Sequence, residues 1–293
     1  MTDDPRQDVR FAFGENWRRF LRTVDEARIA AAVGSLQTML ERGDLNGLRF
    51  LDVGCGSGLF SLAARRLGAR VTSFDVDPQS VACTRALKWQ FAPGDADWTI
   101  LEGSVLDATF VKRFEPFDVV YSWGVLHHTG AMWEALENVC ALVAPDGYLC
   151  VAIYNDQGGA SRRWAVIKRT YNAAPAAVRW LMAAVFFVGH EARQAMIRAV
   201  RLKNPLPFRD WAAKKRERGM SPWHDAVDWI GGYPFEVAKP EEVFDFVRQR
   251  GFCLTYLRTQ GGGYGCNEFT FRRHPCPPPE AGHRSRPLES PRA

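Results

Sequence analysis

Three glycines at alternate positions, in the stretch LDVGCGSG of residues 51–58, constrain the fold of this chain more than any other feature. An apolar run ends at these glycines and an amphipathic segment follows, which predicts a strand, a tight turn and a helix that begins near Ser57. Because Gly54, Gly56 and Gly58 carry no Cβ, a ligand can approach the backbone, and the first N–H groups of the helix point into the turn. A cofactor that resembles a nucleotide is expected there.

The spacing of the glycines disfavours a dinucleotide cofactor, whose fingerprint G-x-G-x-x-G has its third glycine one residue later than Gly58. A strand-to-helix turn can also require glycines for steric reasons alone. A second strand, predicted at residues 70–74, ends at Asp75, where such a fold places an acid that accepts both ribose hydroxyls. Asp77 is the other acid in this turn, but Pro78 after it favours a helix N-cap at that position.

Length and composition permit one large domain, or one domain with an insertion. The 293 residues are 46% apolar, which is enough to bury a full core. The N-terminus carries no signal segment of charged and then apolar residues, and the longest apolar run, residues 180–188, is about half of what a bilayer crossing requires. These observations predict a cytoplasmic location.

Cysteines and charges indicate neither zinc nor nucleic acid. The seven cysteines form no C-x-x-C pair and lie in predicted strands and helices, so we expect reduced thiols and no zinc site. Basic charge is concentrated in residues 156–220, which hold fourteen Lys or Arg against four Asp or Glu, whereas the net charge of the chain is +5. Because these basic residues are spread over several predicted helices without a known RNA- or DNA-binding motif, no nucleic acid partner is expected.

Strands and helices alternate through the first half of the chain. Helical spacing is present at residues 11–21 and 25–42, before the first strand. Further strands are predicted at residues 98–102, 117–122 and 148–153, with helical segments between them. Successive units of strand then helix predict a parallel sheet with right-handed crossovers, so the C-terminal ends of the strands form one ligand-binding edge.

Two histidines, His127 and His128, follow the fourth predicted strand at this edge. With an unperturbed pKa near 6.5, histidine is the side chain best suited to take a proton from a substrate hydroxyl at neutral pH. A structural role is the ordinary alternative for an isolated histidine. The position of the pair at the ligand-binding edge favours a catalytic role for at least one of them.

Four features stand in one order across residues 48–153: the glycine motif, the acid after the second strand, the LHH segment of residues 126–128 and the P-D-G turn of residues 145–147. Together they resemble the class I S-adenosylmethionine (SAM)-dependent methyltransferases, most closely the branch that contains the ubiquinone-biosynthesis O-methyltransferases. The resemblance implies a Rossmann-like α/β fold with a seven-stranded, mostly parallel sheet and an antiparallel last hairpin. The two strands predicted at residues 252–258 and 266–272 supply that hairpin.

The resemblance also implies SAM as the cofactor and assigns residues to it. Members of the family usually have an acid that bonds the adenine amino group, and this chain has Ser104 in that position. Val105 is therefore expected as an apolar contact whose backbone bonds adenine, and Ser122 and Trp123 are expected beside the methionine part. The cofactor-binding residues implied are Asp52, Gly54, Gly56, Gly58, Asp75, Ser104, Val105, Ser122 and Trp123.

Methyl transfer to a small molecule is the expected reaction, with His127 or His128 as general base. The preferred acceptor is a hydroxyl oxygen of a quinone-, phenol- or lipid-like compound. N- or S-methylation is the close alternative, since an amine or thiol reacts with little basic help. A non-catalytic SAM-binding protein and an NAD-linked oxidoreductase are the alternatives of other classes. No acidic cluster resembles the magnesium site of catechol-type enzymes, so no metal is expected.

Residues 156–239 are too long for an ordinary connection and predict a helical insertion that forms a lid over the substrate pocket. Tyr154 and Trp164 are expected to shape this pocket. The apolar run within the insertion predicts either a core helix of the lid or, with the basic residues around it, contact with a membrane surface. The domains predicted are N-terminal cap helices (1–47), a SAM-binding core (48–155), the lid (156–239), the C-terminal part of the core (240–273) and a disordered tail (274–293).

Overall fold

The computed structural model describes residues 24–201, 204, 206, 222–261, 263 and 265–274. The helix predicted at residues 11–21 and all but the first residue of the predicted tail lie outside these residues. The first described element is helix α1 (Glu26–Leu40), which Asp25 caps by accepting a hydrogen bond from the backbone N–H of Arg28 at 2.9 Å.

In the described part of the chain, the strands are β1 (Arg49–Val53), β2 (Arg70–Asp75), β3 (Trp98–Glu102), β4 (Phe117–Trp123), β5 (Val143–Tyr154), β6 (Phe252–Arg258) and β7 (Cys266–Arg273). They form one sheet of seven strands in the order β3-β2-β1-β4-β5-β7-β6. Strands β1 to β5 are parallel, and β7 is antiparallel to both β5 and β6. This arrangement confirms the predicted mixed sheet with an antiparallel end.

The helices that follow α1 are α2 (Leu59–Arg66), α3 (Pro78–Phe91), α4 (Ala108–Val111), α5 (Met132–Ala141), α6 (Gly159–Ala173), α7 (Ala176–Val200), α8 (Pro222–Gly231) and α9 (Pro240–Arg248). Asp77 caps α3 by accepting from the backbone N–H of Gln79 at 2.9 Å, and Pro78 stands in the first turn. Asp77 therefore serves the helix, as the pattern predicted.

The sheet is covered on both faces, which explains why its parallel strands are largely buried. One core packs α1, α2 and α3 against the sheet, through side chains such as Leu36, Leu62 and Leu87. The other core packs α5 and α9 against the opposite face, through side chains such as Leu136 and Val243. The ends of the strands remain available for a site.

Strand β5 starts five residues earlier than the sequence pattern predicts. Val143 pairs with Phe117, and the next pair is Tyr148 with Val119, so the predicted P-D-G turn is accommodated as an irregularity inside the strand. Gly147 fits there because a Cβ would stand 2.9 Å from two carbonyl oxygens. Pairing with β4 on both sides of the turn extends the strand.

The insertion forms a small apolar cluster of its own around Tyr171, Ala183 and Ile230. Helix α7 buries only Ala183 among its residues, and Trp180 is 65% exposed. The apolar run therefore contributes Ala183, Met182 and Phe186 to the apolar cluster of the insertion, as a core helix of the lid would, and leaves other side chains exposed. Within the described ranges, no helix has the length and apolar character needed to cross a membrane.

The described cysteines are mostly the reduced thiols that their spacing predicts. Free thiols are present at Cys55, Cys83, Cys140, Cys150 and Cys266. Cys253 is disulfide-bonded, so the expectation is wrong at that position.

Candidate active site

A cavity of about 810 Å³ lies at the C-terminal ends of β1, β2 and β4. Its wall combines the glycine turn after β1, the loop after β3 and the loop after β4. Residues Tyr233 and Pro234, which follow α8, line it as well. A volume of this size is typical of small-molecule and cofactor sites.

Two of the three motif glycines are required by close packing as well as by backbone conformation. Gly54 has φ +74°, and a Cβ there would stand 2.4 Å from a methyl carbon of Val125. Gly58 has φ +79°, and its Cβ would stand 2.7 Å from Thr84. Because Gly58 is the left-handed N-cap, helix α2 begins at Leu59 and not near Ser57. Gly54 and Gly56 line the cavity as a cradle of bare backbone, whereas Gly58 packs against Thr84 and does not line it.

Asp75 closes one side of this cradle. Its Oδ2 accepts a hydrogen bond from the Gly56 N–H at 3.0 Å, and its Oδ1 accepts from the Asp77 N–H at 2.9 Å. Burial raises the pKa of Asp75 to about 6, against the opposing effect of these two bonds. Each carboxylate oxygen keeps a second lone pair for a ligand hydroxyl.

Asp52 lies at the floor of the cavity in a chain of buried hydrogen bonds. Its Oδ2 accepts from the Ser61 hydroxyl at 2.5 Å, Ser61 accepts from Ser73 at 2.7 Å, and Ser73 accepts from the Trp98 indole N–H at 2.8 Å. Burial raises the pKa of Asp52 to about 7, and the nearby charge of Asp75 adds to this effect. The chain of bonds ties β1, α2, β2 and β3 together beneath the cradle.

Tyr121 is a wall residue that the sequence analysis did not identify. Its ring stacks against Phe60 and Trp123, with centroid distances of 4.9 Å and 5.5 Å, and all three side chains line the cavity. Within the described part of the chain, its hydroxyl is buried without a hydrogen-bond partner. A tyrosine near the C-terminal end of a buried central strand was the available signal.

The cradle and the Tyr121 hydroxyl together fit a SAM-like ligand. The backbone of Gly54 and Gly56 lines the cavity, and a buried hydroxyl with unused bonding capacity is costly unless a polar ligand group reaches it. Both features face the same cavity.

Of the other predicted cofactor residues, Ser122 does not line the cavity. Ser104 and Val105 line the cavity, but the Ser104 hydroxyl accepts from the Leu106 N–H at 3.2 Å and the Val105 carbonyl accepts from Asn138 at 2.8 Å. Ser122 is fully buried and donates to the Val53 carbonyl at 3.1 Å. It ties β4 to β1 beneath the cavity wall.

The two histidines occupy a short 3-10 turn, and only His128 lines the cavity. Its Nδ1 lies 2.6 Å from the carbonyl oxygen of Pro234, which requires the proton on Nδ1 and makes Nε2 the basic nitrogen. In His127 the arrangement is reversed, because Nδ1 accepts from the Tyr154 N–H at 3.3 Å and the proton must lie on Nε2. The geometry thus separates two residues that the sequence could not.

Burial keeps both imidazoles neutral. It lowers the pKa of His128 to about 4, opposed by the bond to Pro234 and assisted by the charge of Lys168. The pKa of His127 lies well below its ordinary value for the same main reason. A neutral imidazole at physiological pH is the form that accepts a proton.

Of the two predicted pocket residues, only Tyr154 lines the cavity. Its ring centroid lies 3.9 Å from that of His127 and 5.4 Å from that of His128. Trp164 lies one layer behind, 5.5 Å from the Trp229 ring. No group of three His, Cys, Asp or Glu within the described ranges is placed to hold a metal ion.

Comparisons with known proteins bear on this site. Residues 22–230 match the model of a family described as a methyltransferase domain. The ubiquinone biosynthesis O-methyltransferase of Caulobacter sp. (strain K31) is 33% identical over 120 residues, which cover 39% of this chain and 44% of that protein. The protein of the same name from Rhodopseudomonas palustris (strain HaA2) is 30% identical over 138 residues, 47% of this chain and 49% of that one.

The chain thus spans about half the length of these curated relatives. Among solved structures, the magnesium protoporphyrin IX methyltransferase of Synechocystis PCC 6803 with bound SAH superposes with a TM-score of 0.49 at 14% identity. That superposition covers 84% of this chain and 81% of the other.

Proposed function

Since this chain belongs to the methyltransferase domain family whose model it matches, we propose that it methylates a hydroxyl oxygen of a quinone-, phenol- or lipid-like small molecule with SAM as cofactor. The family match confirms the predicted resemblance. One observation supports this reaction most strongly: His128 lines the same cavity as the glycine cradle and Asp75. This histidine is neutral, and its basic nitrogen lies on the side away from Pro234.

The cradle and its surroundings hold the cofactor. Gly54 and Gly56 present bare backbone, Asp75 takes the ribose hydroxyls, and Asp52 and Tyr121 lie on the side of the polar amino-acid end. When bound, SAM supplies a methyl group on a positively charged sulfur, which a nucleophile displaces in line. The protein therefore has to align the acceptor and remove its proton.

His128 performs the proton transfer. The Pro234 carbonyl holds the Nδ1–H group, so Nε2 accepts the proton of the acceptor hydroxyl. His127 is not the base, because its Nδ1 already accepts a backbone N–H and its Nε2 carries the proton. Tyr154 and Tyr233 form the adjoining wall against which a flat acceptor packs.

The experiment that tests the cofactor is calorimetric titration of the purified protein with SAM. Asp75→Ala is expected to weaken binding by about 1–3 kcal/mol, the scale of losing a charged hydrogen-bond acceptor. Asp107→Ala is the matched control, since that carboxylate caps α4, accepts from the Thr109 N–H at 2.8 Å and does not line the cavity, so SAM affinity should stay close to wild type. Micromolar binding of NADH without binding of SAM would overturn the proposal in favour of an oxidoreductase.

The acceptor is tested with methyl-labelled SAM and a metabolite extract, followed by identification of the labelled product. His128→Gln should lower the rate per bound acceptor by about 10²-fold, the typical loss of a general base. His127→Gln, a substitution of the adjacent buried histidine, should cost less. If His128→Gln stays within about threefold of wild type, base catalysis is excluded and an amine or thiol acceptor is favoured.

A second proposal is that helix α7 contacts a membrane surface, and the exposed apolar side chains of this helix support it. Its apolar side chains recur at helical spacing on the surface, and charged residues such as Arg179 and Arg193 are also exposed. Flotation with anionic liposomes at low and high salt tests this contact. Leu181→Glu is expected to abolish liposome binding. Absence of wild-type binding at low salt would contradict the proposal. The exposed fractions are 44% for Val178, 56% for Leu181, 66% for Val185 and 64% for Val188.

A further inference from the structure

Lys168 of helix α6 is completely buried, which is unusual for a lysine. Its ammonium group donates a hydrogen bond to the carbonyl of Trp229. It also lies over aromatic rings, 4.5 Å from the centroid of Trp229 and 4.9 Å from that of Phe235. Because removing an ammonium group from water is costly, these contacts have to compensate for its burial.

Trp229, the hydrogen-bond partner of Lys168, belongs to the C-terminal end of helix α8, and Phe235 follows this end. The last carbonyls of a helix have no partner within the helix, and a positive charge near them is favourable. Asn172, one turn further along α6, donates to the carbonyl of Gly231 at 2.6 Å and to that of Lys168 at 2.8 Å. Lys168 and Asn172 therefore clamp the end of α8 onto α6.

The chain that leaves this clamped end is residues 232–238, which we name the strap. The strap passes over the histidine turn, and the Glu236 N–H donates to the carbonyl of His127 at 2.9 Å. The Glu236 carboxylate accepts from the backbone N–H of Met132 at 3.1 Å, and the Ala238 N–H donates to Tyr154 at 3.0 Å. Its Pro234 carbonyl is the partner of His128 Nδ1.

We propose that Lys168 is a positioning residue for His128: it fixes the end of α8, and so keeps the Pro234 carbonyl of the strap against the Nδ1–H group of the histidine. The contact chain runs from Lys168 to Trp229, along the strap to Pro234, and from there to His128. This role rests on the proposed function of His128 as the base. Without the clamp, the ring is free to adopt the other tautomer, in which Nε2 carries a proton and cannot accept one.

The electrostatic surroundings of the ring agree with this role. The titratable groups that face His128 include His127 and Tyr154, at centroid distances of 4.5 Å and 5.4 Å, and the charge of Lys168 acts on both histidines. Loss of that charge and of the packing around the ring would move the pKa of His128 upward, toward the ordinary value of 6.5.

The test is the ¹⁵N spectrum of the histidine rings in the full-length protein, which distinguishes the two neutral tautomers and the imidazolium form. The His128 signals are identified by their absence in His128→Gln. In wild type we expect the Nδ1–H tautomer, neutral at pH 7. In Lys168→Met we expect a mixture of tautomers and a protonation midpoint nearer pH 6.5, the unperturbed value.

Lys88→Met is the matched control, because Lys88 also donates to a backbone carbonyl, that of Trp98 at 2.5 Å, but on helix α3. It should leave the His128 signals as in wild type. An unchanged His128 spectrum in folded Lys168→Met would overturn the proposal. If Lys168→Met does not unfold cooperatively, Asn172→Ala, which removes the bonds from Asn172 to the Gly231 and Lys168 carbonyls and keeps the Lys168 side chain, decides by the same criterion.

Kinetic measurements distinguish the positioning role of Lys168 from the proposed role of His128 as the base. With the labelled product as the readout, Lys168→Met should lower kcat by up to about 10²-fold, the scale of a misplaced catalytic group, with the affinity for SAM close to wild type. It should have no further effect in a His128→Gln background, whereas an independent structural defect would add to it. If the ring changes tautomer while His128→Gln remains active, the proposed base fails and the positioning contact stands.

Discussion

Replacing Gly54 by alanine should destabilise the protein for two reasons that can be measured separately. The left-handed backbone at φ +74° costs an L-residue about 1–2 kcal/mol. A Cβ placed 2.4 Å from Val125 adds an overlap that typically costs about 1–3 kcal/mol. The free energy of unfolding should therefore fall by about 2–5 kcal/mol.

Gly94→Ala is the matched control for the backbone contribution. Gly94 has φ +72°, and no atom lies within 4 Å of the position of its Cβ. Urea unfolding should therefore show a loss of only about 1–2 kcal/mol for this variant. The difference between the two variants measures the overlap with Val125.

The double variant Gly54→Ala with Val125→Ala completes the experiment. Val125→Ala removes the methyl groups that the new Cβ would overlap. In that background, Gly54→Ala should therefore lower the free energy of unfolding only by the backbone contribution. Calorimetric titration should show weaker SAM binding in Gly54→Ala, because the shifted turn no longer presents bare backbone. If Gly54→Ala and Gly94→Ala lose the same free energy, Val125 does not pack against the glycine turn and the reasoning is refuted.

Three further predictions concern buried polar groups. Tyr121→Phe removes a buried hydroxyl without a partner, so urea unfolding should show the unliganded protein as stable as wild type or about 1 kcal/mol more stable. Calorimetry should nevertheless show weaker SAM binding. An unchanged SAM affinity would contradict a role of this hydroxyl in the site. Because the pKa of Asp52 rises from 3.8 to about 7 on folding, the folded state binds more protons, and the free energy of unfolding falls as pH rises between these values. From pH 5 to 7, wild type should lose about 2–3 kcal/mol more of this free energy than Asp52→Asn. An equal dependence on pH in the two proteins would exclude the raised pKa. Because burial lowers the pKa of His128 to about 4, the ¹⁵N signals of its ring should remain those of the neutral form from pH 8 down to pH 5 and change only as pH approaches 4. A midpoint near 6.5 would show that this ring is not buried.

Short-range patterns determined most of the fold. The bounds of β3 and β6 match their predicted bounds, and α3 begins after the predicted Asp77 cap, because caps, alternation and turn residues act within a few positions. The cradle was predictable for the same reason, since glycine spacing and the acid after the next strand lie within one strand–helix–strand unit. These features need no knowledge of distant contacts.

Irregular elements were less predictable, because pairing partners far along the chain decide them. Strand β5 continues through a P-D-G turn that normally ends a strand, since β4 pairs with it on both sides. Helix α7 has the composition of a core helix, but among its own described residues only Ala183 is buried. Composition alone does not state which face finds a partner.

The sequence by itself therefore determined the family, the sheet and the cofactor cradle, all of which depend on residues close together in the chain. Tertiary structure alone decided which histidine faces the cavity, because the tautomer of His128 is set by Pro234, 106 positions later. It also decided that Lys168 is buried, through a carbonyl 61 positions away. Such contacts leave no periodic signal, because the energy of a hydrogen bond depends on the position of two groups in space and not on their separation in sequence.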